Sequence, residues 1–125
     1  MEKLIFIVIG GIAGAISRFY LSNFVNLHQF FGMKIGTIAV NLIGSFAIGI
    51  VWGLIENRSF DPRLKLLITT GFLGCFTTFS TFSLETLQYF NAGEIGKAFA
   101  NVAISTICGI ALVFLGYFIA KYFTK

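Results

Sequence analysis

The stretch Gly71-Phe-Leu-Gly74-Cys-Phe-Thr77-Thr78-Phe79-Ser80-Thr81-Phe82-Ser83 decides how this chain folds. It places two glycines and a cluster of hydroxyl residues inside a run otherwise long enough to cross a bilayer. Hydrocarbon offers no partner to a freed N–H or C=O, so an interrupted helix persists there only where its loose backbone is buried in protein or lines a polar path. The segment therefore predicts a membrane helix broken at Gly74–Thr77, and with it a small protein that conducts or transports ions.

Composition agrees. Of 125 residues, 57% are hydrophobic and 11% charged, and the mean hydropathy of +0.90 is far above that of an ordinary soluble domain. The formal net charge of +4 does not point to nucleic acid, because the basic residues punctuate apolar runs near the expected membrane interfaces. Cys75 and Cys108 lie inside apolar segments without CxxC spacing or a clustered histidine, so neither a disulfide framework nor a metal–thiolate site is expected. One His and two isolated Cys assemble no nucleophile–base pair, and an enzyme is not expected.

Residues 4–24, 33–55, 66–90 and 99–120 each have the twenty-odd residues a helix rising 1.5 Å per residue needs to cross the hydrocarbon core. The expectation is an all-α membrane protein, one four-helix domain over residues 1–125 with a broken third helix and short polar connections. Lys3 before an apolar run, with Ala13-Gly14-Ala15 behind it, has the outline of a secretory leader. The apolar run continues past Ala15 and carries Arg18, which suits a retained helix. Lys3, Arg58, Arg63, Lys65, Lys121 and Lys125 fall on the side of the termini, against Lys34 and Lys97 on the other with Arg18 near them. That bias favours cytoplasmic termini in the inner (plasma) membrane. Four helices are too few to enclose an aqueous path, so oligomerisation is expected. The GxxxG pairs Gly10/Gly14, Gly32/Gly36 and Gly49/Gly53 serve equally for contacts within a subunit and between subunits.

Polar residues within the spans form stripes. Thr37, Asn41 and Ser45 share a face of the second helix, and Asn101 and Ser105 share one of the fourth, with Gly109 a turn beyond. Arg18 is a costly charge in a span, suited to a water-filled cavity or an anion. The acidic residue well inside a span, Glu85, lies beyond the break toward the end of its helix. Phe79 and Phe82, at i and i+3, share a face just after the break. Ring edges are electropositive, so the pair can form a poorly hydrated constriction that admits a small anion without trapping it.

Gly11-Ile-Ala-Gly14-Ala-Ile-Ser-Arg18, Gly36-Thr37-Ile-Ala-Val-Asn41-Leu-Ile-Gly44-Ser45-Phe46 and Gly71-Phe-Leu-Gly74-Cys-Phe-Thr77-Thr78-Phe79-Ser80-Thr81-Phe82 resemble the Fluc (CrcB) family of fluoride channels, in order and along nearly the whole chain. The resemblance implies an antiparallel, dual-topology homodimer with two pores. It makes Phe79 and Phe82 the pore phenylalanines, Asn41 the pore amide and Arg18 the vestibule cation. It also implies a central structural sodium ion held by the carbonyls of Gly74 and Thr77. Thr37, Ser80, Thr81 and Ser105 can supply hydroxyl donors that replace water around fluoride. The implied partners are fluoride, sodium, membrane lipid and a second copy of the chain. The family often carries a tyrosine where Asn101 stands, and its dual-topology members have less charge bias. A small multidrug-type proton-coupled antiporter would need a carboxylate inside the first helix, whereas Glu2 precedes it. A structural subunit of a membrane complex would explain packing glycines but not the break.

Overall fold

A long apolar segment in lipid can satisfy its backbone only within itself, and the chain answers with four helical spans in a computed structural model that describes residues 1–28, 30, 32–56 and 60–124. Helix α1 is Glu2–Asn26 and α2 is Gly36–Ile55. The third span, Pro62–Asn91, is interrupted: α3 covers 62–76 and α4 is Phe79–Asn91. The fourth span, α5, is Ile95–Phe123. All four helices are long and apolar enough to cross a membrane. Within α3, Leu67–Leu73 is π-helical, as is Ile104–Cys108 within α5.

The third span begins at Pro62, ahead of the expected 66, because Asp61 caps it. Its Oδ1 accepts the Arg63 N–H at 2.8 Å, and Pro62 occupies the first turn, where a missing N–H costs nothing. The connection between α1 and α2 turns through Gly32 at φ 70°. Its end is fixed by Asn26 Oδ1, which accepts the Gly36 N–H at 2.7 Å.

Glycines set the packing. Lipid tails are as apolar as leucine, so helices associate in a membrane by close backbone approach rather than by hydrophobic burial. A methyl group on Gly10 would stand 2.9 Å from the Phe72 nitrogen, and one on Gly71 would stand 2.8 Å from the Ile7 carbonyl oxygen. Across the α2–α5 seam, one on Gly53 would stand 2.9 Å from the Tyr117 carbonyl, and Gly49 and Gly116 lie against the carbonyls of Val113 and Phe46. Gly10/Gly14 and Gly49/Gly53 are therefore used inside the subunit, α1 on α3 and α2 on α5. Gly36 packs on the Ser22 carbonyl, and Gly32 belongs to the turn.

The charges at both ends are partly neutralised. At the end that holds the termini, Arg63 pairs with Glu2 at 3.3 Å, Lys121 pairs with Glu56, and Lys65 lies 4.7 Å over the Trp52 ring. The Lys121 ammonium, joined by the Tyr117 hydroxyl at 2.7 Å, holds the Glu56 carboxyl below the usual carboxylate range. At the other end Lys97 pairs with Glu94 at 2.8 Å. Asn57 of the loop and two of the counted cations, Arg58 and Lys125, lie outside the described residues.

Candidate functional site

The break falls at Thr77–Thr78, later than the glycine-bounded segment suggests. Gly74 is still helical at φ −63°, ψ −31°, whereas Thr77 (φ −85°, ψ 156°) and Thr78 (φ −148°, ψ 118°) are extended. Gly71 and Gly74 thus do not break the helix; Gly71 lets α1 approach, and two β-branched threonines carry the extended backbone. Thr78 then caps α4, its Oγ1 accepting the Thr81 N–H at 3.3 Å and donating to the Thr81 hydroxyl at 3.0 Å.

Asn41 holds the break open. Its Oδ1 accepts the Thr78 N–H at 2.7 Å and its Nδ2 donates to the Thr78 carbonyl at 3.0 Å, so one amide satisfies both backbone groups of a buried residue. Two donors are thereby diverted. In a continuous helix the Thr78 N–H would serve the Gly74 carbonyl and the Thr81 N–H the Thr77 carbonyl; here both go to side chains. Gly44, one turn from Asn41, lies against the Thr77 methyl, so α2 touches the break with backbone and amide alike.

A groove of about 490 Å³ runs along this face, lined by Asn41, Gly44, Ser45 and Ile48 of α2, Thr69, Leu73 and Gly74 of α3, Thr77 and Thr78 at the break, Phe79 and Phe82 of α4, and Ser105, Thr106, Gly109, Ile110 and Val113 of α5. Phe79 and Phe82 stand together on it with ring centroids 5.5 Å apart and planes tilted by 47°. The Ser105 hydroxyl is buried and has no hydrogen-bond partner among the described residues. The groove thus collects Asn41, Gly74, Thr77, Phe79, Phe82 and Ser105 from the residues singled out by sequence.

Thr37, Ser80, Thr81 and Arg18 are not among its lining residues. Thr37, 4% exposed, donates to Glu85 Oε1 at 2.6 Å, and the other Glu85 oxygen is buried without a partner among the described residues. Ser80 and Thr81 are exposed and sit around the Thr78 hydroxyl. Arg18 is half-buried in α1 and makes no ion pair among the described residues. The sequence did not reveal the Thr78 cap or the Thr37–Glu85 pair, and it placed Asn101 on a polar stripe without its partners: its amide donates to the Phe82 carbonyl at 3.3 Å and to Thr86 Oγ1 at 2.9 Å. The Thr78 cap is a local contact with Thr81, whereas no spacing within one helix signals the Thr37–Glu85 and Asn101 contacts, because each of these joins residues from different helices.

The carbonyls at the break suit a hard cation. Gly74 is exposed on the groove, its carbonyl and that of Thr77 have lost their helical donors, and the described residues hold no cluster of three or more His, Cys, Asp or Glu side chains. An alkali ion accepts such an all-oxygen set, where a softer metal would call for nitrogen or sulfur.

The chain matches the family described as CrcB-like protein, Camphor Resistance (CrcB), over residues 5–117. It is 42% identical over 118 residues to the fluoride-specific ion channel FluC of Shewanella loihica, covering 93% of this chain and 94% of that one. To the protein of the same name from a Geobacter species it is 40% identical over 124 residues, covering 97% and 98%. A third of that name, from Parabacteroides distasonis, is 37% identical over 121 residues, covering 97% and 94%. These relatives are named as ion channels and not as enzymes, and this chain, with four helices long and apolar enough to cross a membrane, is a multi-pass membrane protein. Matched over nearly its whole length, the chain belongs to the CrcB family.

Proposed function

We propose that this protein is a fluoride-selective channel of the inner (plasma) membrane that lowers cytoplasmic fluoride by passive electrodiffusion. The observation that carries this reading is the near end-to-end likeness to relatives named fluoride-specific ion channels. The groove gives it chemistry. Fluoride is small and strongly hydrated, so a narrow path must replace its water with donors: Asn41 and the Ser105 hydroxyl, which has no partner among the described residues, stand in the groove, and Ser80, Thr81 and Thr37 add polar groups beyond its lining. The edges of Phe79 and Phe82 offer weak positive potential without a fixed cation, which lets the ion leave again. Arg18 draws anions to the vestibule.

The groove belongs to one subunit of an antiparallel homodimer in this reading, and the second copy closes it and supplies a second pore. An antiparallel pair requires both orientations in the membrane, against the excess of Lys and Arg at the end that holds the termini. Gly74 and Thr77 of both copies would hold one sodium ion on the two-fold axis, where its charge joins the subunits and adds a static positive field. Removing sodium from reconstituted protein is expected to cut fluoride flux and loosen the dimer; unchanged flux with an intact dimer would remove the ion from the account. The reading as a whole is tested in proteoliposomes, where fluoride efflux is expected and chloride efflux is not. Equal fluxes of the two ions would end it.

A further inference from the structure

Asn101 is 1% exposed, one of two fully buried larger side chains among the described residues, and it sits on α5 facing α4. Its Nδ2 donates to the Phe82 carbonyl and to Thr86 Oγ1, and the Thr86 hydroxyl in turn donates to the same Phe82 carbonyl at 2.9 Å. Three polar groups thus close a triangle on the backbone of a residue whose ring stands in the groove. Four residues earlier, Asn41 grips the Thr78 backbone from α2. The short helical turn that carries both Phe79 and Phe82 is therefore fastened at each end by an asparagine from a different neighbouring helix. Immediately beyond Asn101 the π-helical turn Ile104–Cys108 shifts the register, so that Asn101 meets α4 while Ser105 lines the groove.

We propose that Asn101 is a positioning residue for conduction: by fastening the Phe82 backbone to α5 it sets where the Phe82 ring stands beside Phe79. The proposal rests on the fluoride-channel reading for its consequence, although not for its geometry. A buried amide whose donors are both used fixes an element more narrowly than apolar packing does, because a shift of either helix leaves donors unpaired in a medium with no water. Lateral movement of α4 would carry the ring edge with it and change both the width and the potential of the constriction.

The test replaces Asn101 with leucine, which has the same branching and number of heavy atoms but no donors, and Thr86 with valine as the milder partner. A fluorinated phenylalanine at position 82 of the reconstituted full chain reports the ring by 19F NMR, beside fluoride and chloride efflux. A single narrow 19F line is expected for the parent chain, and a broadened or split line for Asn101→Leu and, less, for Thr86→Val. Fluoride flux per dimer is expected to fall about tenfold in Asn101→Leu, the factor that 1.4 kcal/mol carries, with the fluoride-to-chloride ratio falling as well. An unchanged 19F line in both variants overturns the proposal. So does a loss of flux that only tracks loss of dimer at an unchanged ion ratio, since that is what mere helix glue would do. Failure of the parent chain to pass fluoride refutes the channel reading, and the 19F line then decides the clamp on its own.

Discussion

Replacing Asn41 with leucine will collapse the break in the third span and abolish fluoride flux. The substitution keeps the bulk but leaves the Thr78 N–H and carbonyl, both now paired with Asn41, without partners in a residue only 8% exposed. Each orphaned buried group costs about 1–3 kcal/mol. Relief comes by rewinding, in which the Thr78 N–H returns to the Gly74 carbonyl and the Thr81 N–H to that of Thr77. That closes the carbonyls assigned to sodium and turns the residues after the break, Phe79 among them. Asn41→Asp separates the two bonds, since an ionised carboxylate still accepts the Thr78 N–H and repels the Thr78 carbonyl. Its destabilisation in detergent unfolding is expected to fall between those of the parent and Asn41→Leu. Parent-like flux and stability in Asn41→Leu would show that the break holds itself open.

The four spans were legible because membrane helices announce themselves by length and apolarity, which need no tertiary information. The existence of the break was legible from Gly71 through Ser83, but not its position. Glycine reads as a helix breaker, whereas in a membrane it equally serves close packing, and Gly71 is used against Ile7 and Gly10 while Gly74 remains in the last helical turn. The extended residues are Thr77 and Thr78, whose conformation is settled by Asn41, 37 positions away from Thr78. The stripes were half legible. An i, i+4 spacing fixes which residues share a face but not which helix that face meets, and the π-helical turns shift the phase midway. Asn41 and Ser45 reach the groove, whereas Thr37 on the same stripe turns to Glu85. Asn101 and Ser105 likewise part company, one to α4 and one to the groove.

Both asparagines act on backbone atoms, which recasts what the phenylalanines need. Phe79 is 79% exposed in the single subunit and makes its ring contact with Phe82 alone among the described residues, so little in the subunit's own packing fixes its side chain. Its placement comes from the backbone turn beneath it, held at Thr78 and at Phe82.

Phe79→Ile and Phe82→Ile will therefore each abolish or strongly reduce fluoride flux while leaving fold and dimer intact. Isoleucine retains much of the apolar bulk and, being lipid-tolerant, leaves the four spans unchanged. It has no quadrupole, so the electropositive edge presented to a dehydrating anion disappears, and with it the interaction that offsets part of the lost hydration. The backbone bonds at Thr78 and Phe82 do not involve either ring, which is why assembly should survive. The decisive comparison is fluoride efflux per dimer in liposomes against elution and unfolding of the same preparations. Full flux in both variants with normal assembly would reduce the two rings to packing residues and shift selectivity to the hydroxyl groups. Loss of flux that accompanies loss of the dimer would place the rings in the subunit interface instead of in the ion's path.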